Sequence, residues 1–220
     1  MSMHVRAAVL ALCTASATVV VVVGGQSGLP PDIKAESLSR LPLVQRGQLD
    51  EEGKKIWDHI AGERGMPKTG PAPISMYSPK SAAPIHDLNQ YLRTIGVGSR
   101  YFELSALIAA REFDQQYEWS GHEPAAVRAG LPQAAIDAVK FNRDVTGLVE
   151  KDATVIRLGR ALLRDHKVSP ELWAKTVELF GPQGAVEITT TIGDYVMAGL
   201  LLTVADQQLP PERKPLLPVK

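Results

Sequence analysis

The chain has 220 residues, enough for one globular domain of ordinary size and too few for two large ones. Its 24 Lys and Arg balance 24 Asp and Glu, so there is no basic excess with which to hold nucleic acid by its phosphates. A single cysteine, Cys13, excludes an internal disulfide, a CxxC redox pair and a Cys-rich zinc site.

The N-terminus reads as an export segment. Arg6 and the free amine give a short positive region, Ala7 to Val23 carry no charge, and Gly24-Gly25 follow. Residues 1–25 are therefore expected to be a cleaved secretory signal or a short uncleaved anchor, the one way this chain would touch a membrane. A lipid anchor at Cys13 fits poorly, because Leu12 is bulky and the apolar run continues past the cysteine. The expected location is periplasmic or secreted. Removal near Gly25 would discard Cys13 and Arg6 and leave 23 basic against 24 acidic residues.

Residues 26–48 contain Pro30 and Pro31 and read as an extended arm. Leu49 to Glu63 predict a helix capped by Asp50, with Ile56, Trp57 and Ile60 on one face. Arg64 to Pro79 hold four prolines and two glycines and read as a loop anchored by Met76 and Tyr77. Ser81 to Ile95 predict a helix with Ile85, Leu88, Leu92 and Ile95 inward, ended by Gly96-Val97-Gly98. Ser99 is the expected cap of the next helix, Tyr101 to Phe113, which is apolar nearly all round and so expected at the centre. Helices follow over Tyr117–Ala129 with Gly130 as C-cap, over Pro132–Phe141, and over Asp152–Asp165. Ser169-Pro170 opens another helix to about Phe180, Gly181-Pro182 breaks it, and Gln183 to Ala205 form the last. No segment alternates as a strand would. The fold class is all-α, a single-domain helical bundle of seven or eight helices over 49–206, with a Pro-rich tail at 207–220.

Polar residues crowd one stretch: Glu103, Arg111, Asp114, Gln115, Gln116, Tyr117, Glu118, Trp119, His122 and Glu123. On one continuous helix at about 100° per residue, Glu103, Asp114, Glu118, Arg111 and His122 would share a stripe about 100° wide. Glu103 and His122 would then stand about 28 Å apart and could not act together. A turn near Asp114 to Tyr117, with Asp as N-cap, would fold Glu103 back toward His122. Glu118 and His122 are an i,i+4 pair and face each other in either case. A carboxylate beside an imidazole raises its pKa and orients its proton, which makes a general acid/base unit. The same groups could equally form a buried salt-bridge cluster between helices or subunits.

The stretch ELSALIAAREFDQQYEWSGHEPAAVRAGL, Glu103 to Leu131, resembles the carboxymuconolactone decarboxylase family, which includes the alkylhydroperoxidase D-like (AhpD-like) proteins. Its centre is YEW-x-x-H with a Glu upstream. The likeness extends through Ile74–Leu92 and Leu162–Ala205, about residues 50–206 in all. The resemblance implies an all-helical domain that assembles as a homotrimer or homohexamer. The peroxidase members carry C-x-x-C-x-x-x-H with a Glu 12 residues before the first Cys. Alignment on His122 places Gln115 and Glu118 at the two thiol positions and Glu103 at the upstream Glu. Thiol cycling needs a thiolate and a resolving partner, so this chain is expected to lack peroxidase activity.

What remains resembles the decarboxylase members, with Glu103, Glu118 and His122 as proton-handling groups. Arg111 would hold a carboxylate or enolate oxygen, and Tyr117 and Trp119 would contact substrate. The expected activity is a cofactor-free lyase or isomerase acting on a small lactone or carbonyl acid. A non-catalytic oligomeric binding protein and a metal-dependent peroxide or oxygen enzyme are the alternatives. No metal motif supports the last, since there is no HxH or HExxH pair. His59 and His166 read as solvated, while His86, after the Pro-rich loop, is open to a role in the site. Asp194-Tyr195 are polar within an apolar stretch and belong either to the pocket or to an interface.

Overall fold

A computed structural model describes residues 28–94 and 96–219. The export segment with Cys13, and Ile95, lie outside these residues. Eight α-helices are present and no strands among the described residues, apart from one isolated bridge between Lys34 and Ser39.

Asp50 accepts a hydrogen bond from the Gly53 N–H at 2.7 Å and starts α1 (Glu51–Ala61). The Pro-rich segment is not all loop. Pro71 and Pro73 lack the N–H groups that a first turn leaves unpaired anyway, and they open a one-turn helix, α2 (Pro71–Ser75). Of the two expected anchors, Met76 is buried and Tyr77 is half exposed, its hydroxyl donating to the Pro42 carbonyl at 2.7 Å. Helix α3 (Pro79–Thr94) begins at Pro79 and buries Leu92, but Leu88 points to solvent rather than to the core.

Helix α4 (Ser99–Glu112) is the centre of the bundle. Its N-cap is Gly98, with no side-chain bond, so Ser99 is the first helical residue and not the cap. Ten consecutive residues, Phe102 to Arg111, are buried, as an all-round apolar segment requires. It packs against α5 (Gln116–Arg128), α6 (Gln133–Lys140), α7 (Glu150–Arg160) and α8 (Pro170–Val204). Leu104, Leu107, Ile108, Trp119, Ile136, Ile156 and Ile188 form the shared core. Helix α7 approaches closely because residue 159 is glycine: a Cβ there would stand 2.5 Å from Ile108 Cγ2. The buried Asp152 of α7 accepts from Arg100 Nε at 3.1 Å and locks α4 to α7 at that end. Gly130 does end α5: at φ +79° its N–H reaches the Val127 carbonyl, and the Leu131 N–H reaches that of Ala126, both at 3.0 Å.

A π turn (Ala161–Asp165) extends α7, and His166 in the left-handed region turns the chain. Ser169 Oγ then accepts the Leu172 N–H at 3.2 Å and caps α8. Gly181, at φ +71° and ψ +169°, breaks α8 into two rods where the sequence places Gly-Pro. The second rod is apolar enough to span a membrane by composition, yet it buries Glu187, Thr191 and Asp194 against the bundle, as a core helix does. Replacing Ser169 by Ala is expected to cost about 1 kcal/mol, by loss of the cap. The check is a lower urea midpoint with an unchanged slope.

The chain ends are part of the packing. The arm bonds to the end of α8 through Arg40 N–H to the Ala205 carbonyl, 2.7 Å, and Gln208 N–H to the Leu38 carbonyl, 2.7 Å. The C-terminal segment inserts Leu217 into the main core. It is held by Gln116, whose amide donates to the Leu217 carbonyl at 2.7 Å and accepts from the Leu216 and Leu217 N–H groups.

Candidate functional site

Helix α4 ends at Glu112, and α5 starts only four residues later. The turn is made by Asp114, at φ +48°, with the Gln115 N–H bonded to the Ala110 carbonyl at 2.7 Å. Asp114 is therefore not the N-cap. That position is taken by Gln115, whose side chain accepts from the Tyr117 N–H. The chain does double back here, and two of the stripe's three carboxylates, Glu103 and Glu118, meet its imidazole.

His122 Nδ1 lies 2.6 Å from Glu103 Oε2, and His122 Nε2 lies 3.2 Å from Glu118 Oε2. The imidazole is thus held between a carboxylate of α4 and one of its own helix. All three side chains are nearly buried. Burial alone would press the His122 pKa down. The hydrogen bonds to Glu103 and Glu118 and their negative charges outweigh it, and the pKa is pushed up to about 9. Near neutral pH, His122 is an imidazolium with both N–H groups aimed at carboxylates. One atom is left over: Glu118 Oε1 is buried with no hydrogen-bond partner. A buried carboxylate oxygen without a donor is costly in a purely structural cluster, and it is the acceptor that an incoming proton or ligand donor would find.

The surrounding wall comes from α3 and α8. Tyr195 stands edge-on to His122, ring centroids 4.7 Å apart, and to Phe102 at 5.5 Å. Arg93 lies over the Phe102 ring at 4.5 Å, donates to the Tyr195 hydroxyl oxygen at 3.0 Å, and places Nη1 3.7 Å from Glu103 Oε1. Burial raises the Tyr195 pKa, so the phenol stays a proton donor. One position earlier, burial pushes the Asp194 carboxyl up against the opposing effect of Asn89, whose amide donates to it at 2.8 Å. Tyr195 thus packs on the His122 cluster, with Asp194 held beside it by Asn89. A groove of about 490 Å³ runs along α3 and α8 nearby. Its wall residue Leu92 also packs on Phe102 and Tyr195.

Three expected site residues stand elsewhere. Arg111 is buried, but its guanidinium bonds to Asp114 and to the Pro218 carbonyl at 2.8 Å, so it secures the turn and the C-terminal segment. Trp119 is fully buried in the main core, with its indole N–H on Glu123. Tyr117 packs with Ile74 and Leu202 and bonds through its hydroxyl to Thr69 at 2.8 Å. Gln115 donates to the Gly199 carbonyl at 3.1 Å and to Thr203 at 3.0 Å, so only Glu118 of the two thiol-aligned positions faces the site. The residues that sequence reasoning missed are Arg93 and Asn89. They are an i,i+4 pair on α3 that flanks Leu92, and that spacing was the available signal. His86 instead meets His59, at a ring distance of 5.4 Å.

No protein-family model matches the chain, and no curated protein matches it. Solved structures do. A protein of unknown function from Agrobacterium tumefaciens, named for the antioxidant defence protein AhpD, superposes with a TM-score of 0.57 at 17% identity, covering 65% of this chain and 99% of its own. The debrominase Bmp8, a variant solved with 2,3,4-tribromopyrrole, superposes with a TM-score of 0.57 at 14% identity, covering 77% of this chain and 90% of its own. The chain therefore has the AhpD-like all-helical fold that its sequence resembles. The same fold serves proteins of different activity.

Proposed function

We propose that this protein is an acid/base enzyme of lyase or isomerase type, acting on a small lactone or carbonyl acid without a thiol step. The observation that carries the reading is the imidazolium of His122 between two carboxylates, one of which keeps a free buried oxygen. Residues 28–219 contain no cysteine, so thiol peroxide chemistry has no nucleophile there. This reading gives the cluster two roles. His122, already protonated, supplies a proton. Glu118 Oε1 accepts one.

On a carbonyl acid, the electron pair of the breaking carbon–carbon bond would pass into the carbonyl as an enolate while carbon dioxide leaves. The Tyr195 phenol and the Arg93 guanidinium would stabilise the growing oxygen charge. His122 would then protonate the carbon, and solvent would restore its proton. On a lactone, Glu118 would remove the proton next to the carbonyl and His122 would return one at another carbon. Arg93, partly exposed and at the longer distance of 3.7 Å from Glu103, takes the anion-binding role expected of Arg111. The proposal includes export and a homotrimeric or homohexameric state. The exposed Leu88 and Tyr91 beside the groove support self-association.

The test is proton exchange at the carbon next to the carbonyl in heavy water, read by NMR over a panel of small lactones and carbonyl acids, with carbon dioxide release scored in parallel. Exchange or release that needs His122 supports the proposal. Carboxylate binding with neither exchange nor turnover across the panel would leave a non-catalytic binding protein. Arg93→Met is expected to raise KM about 10–100-fold, the loss of one charged hydrogen bond, with a smaller change in kcat. Arg111→Met should leave KM unchanged and lower stability instead.

A further inference from the structure

We propose a second site, a zinc-type divalent cation site formed by His59 of α1 with His86 and Asp87 of α3, separate from the His122 centre. The nitrogen donors of the two imidazoles and one carboxylate oxygen all lie within 4.8 Å of one another. His59 Nε2 is 2.6 Å from Asp87 Oδ1, and the His86 ring stands edge-on to His59 at 78°. An ion pair between His59 and Asp87 has no use for a second imidazole. The position of His86 brings a third donor to the same point.

The chemistry suits a borderline metal. Two imidazoles and one carboxylate are a zinc donor set, whereas magnesium and calcium take oxygen ligands. Zinc–ligand bonds of about 2.0–2.1 Å at tetrahedral angles place donors about 3.3 Å apart. The wider donor pairs must close by roughly 1.5 Å at most, and the His59–Asp87 pair, at 2.6 Å, must open by roughly 0.7 Å, both within reach of side-chain rotation. His59 and Asp87 are more than half exposed and free to make that adjustment. The helices beneath them are fixed: Ile60 of α1 and Ala82 of α3 pack together with Met76. Three protein ligands leave the fourth position to water or to a small anion. Bound metal would clip α1 to α3, the helix that carries Asn89 and Arg93.

Isothermal titration of the full chain with zinc chloride, after removal of metal by chelator, tests this. One zinc per chain is expected, with no uptake of magnesium. His59→Ala and His86→Ala should each weaken binding about tenfold or more, while His122→Ala and His166→Ala should not. Both ligand variants alter partly exposed side chains, and circular dichroism confirms that they fold. Zinc should raise the Tm of the parent chain and not that of His86→Ala. Absence of binding at about 0.1 mM zinc would overturn the proposal. So would binding that survives His59→Ala and His86→Ala.

Discussion

Raising the pH from about 5.5 to about 9.5 is expected to remove about 3 kcal/mol of folding stability through His122 alone, the value of a shift from 6.5 to about 9. The sign follows from which state binds the proton more tightly. In the unfolded chain the imidazole has its ordinary pKa. In the folded chain Glu103 and Glu118 hold the proton against the cost of burial, so the folded state binds it more tightly. That advantage is complete below the unfolded pKa and disappears as pH rises through about 9. About 2 kcal/mol of it should be lost above pH 7.5. His86 does not confuse that upper window. Burial and the nearby His59 lower its pKa, so it is already neutral there in both states. Urea unfolding at a series of pH values gives the slope, and NMR titration of the His122 ring gives the midpoint. A ring that titrates near its ordinary value, with flat stability above neutral pH, would contradict the two-carboxylate clamp.

The polar stretch from Arg111 to His122 shows what the sequence made legible. The need for a turn was readable, because Glu103 and His122 cannot cooperate on one straight helix. The i,i+4 relation of Glu118 to His122 was readable for the same geometric reason. The assignment of the other polar residues was not. Arg111 and Gln116 answer to carbonyls and amides about a hundred residues later in the chain, and Gln115 to the far end of α8. Local periodicity carries no information about such partners. Arg93 was missed for the converse reason. It lies on a helix with no unusual composition, and only the packing of α3 on α4 and α8 brings it to Phe102 and Tyr195. The helix starts followed a similar rule. Asp50 and Ser169 cap as their chemistry suggests, while Ser99 gives way to Gly98 and Asp114 to Gln115. In the last case Asp114 takes up the left-handed turn and pairs with Arg111, and one residue cannot serve both as pivot and as cap.

On the lactone route, where Glu118 is the base, Glu118→Gln is the substitution expected to cost most in turnover, about 10²–10⁴-fold in kcat, with the fold retained. Gln keeps the size of the side chain and can still accept from His122. It cannot take a proton. The variant also removes one of the two negative charges that hold His122 protonated, so the His122 pKa should fall from about 9. A buried structural ion cluster would respond differently: neutralising one member would alter stability and leave proton exchange at the substrate carbon unchanged. The two readings therefore separate in a single pair of measurements, exchange rate and His122 titration. Glu103→Gln supplies the internal control. It also lowers the His122 pKa, but Glu103 Oε2 is engaged by His122 and Oε1 faces Arg93. If Glu118 is the base, Glu103→Gln should change the pH dependence of turnover more than its maximum, and Glu118→Gln the reverse. Equal losses in both variants would assign the carboxylates to holding His122 and would move the base elsewhere. The next candidate is then Asp194, which is close enough to Glu118 to feel its charge and whose carboxyl burial already pushes toward the protonated form.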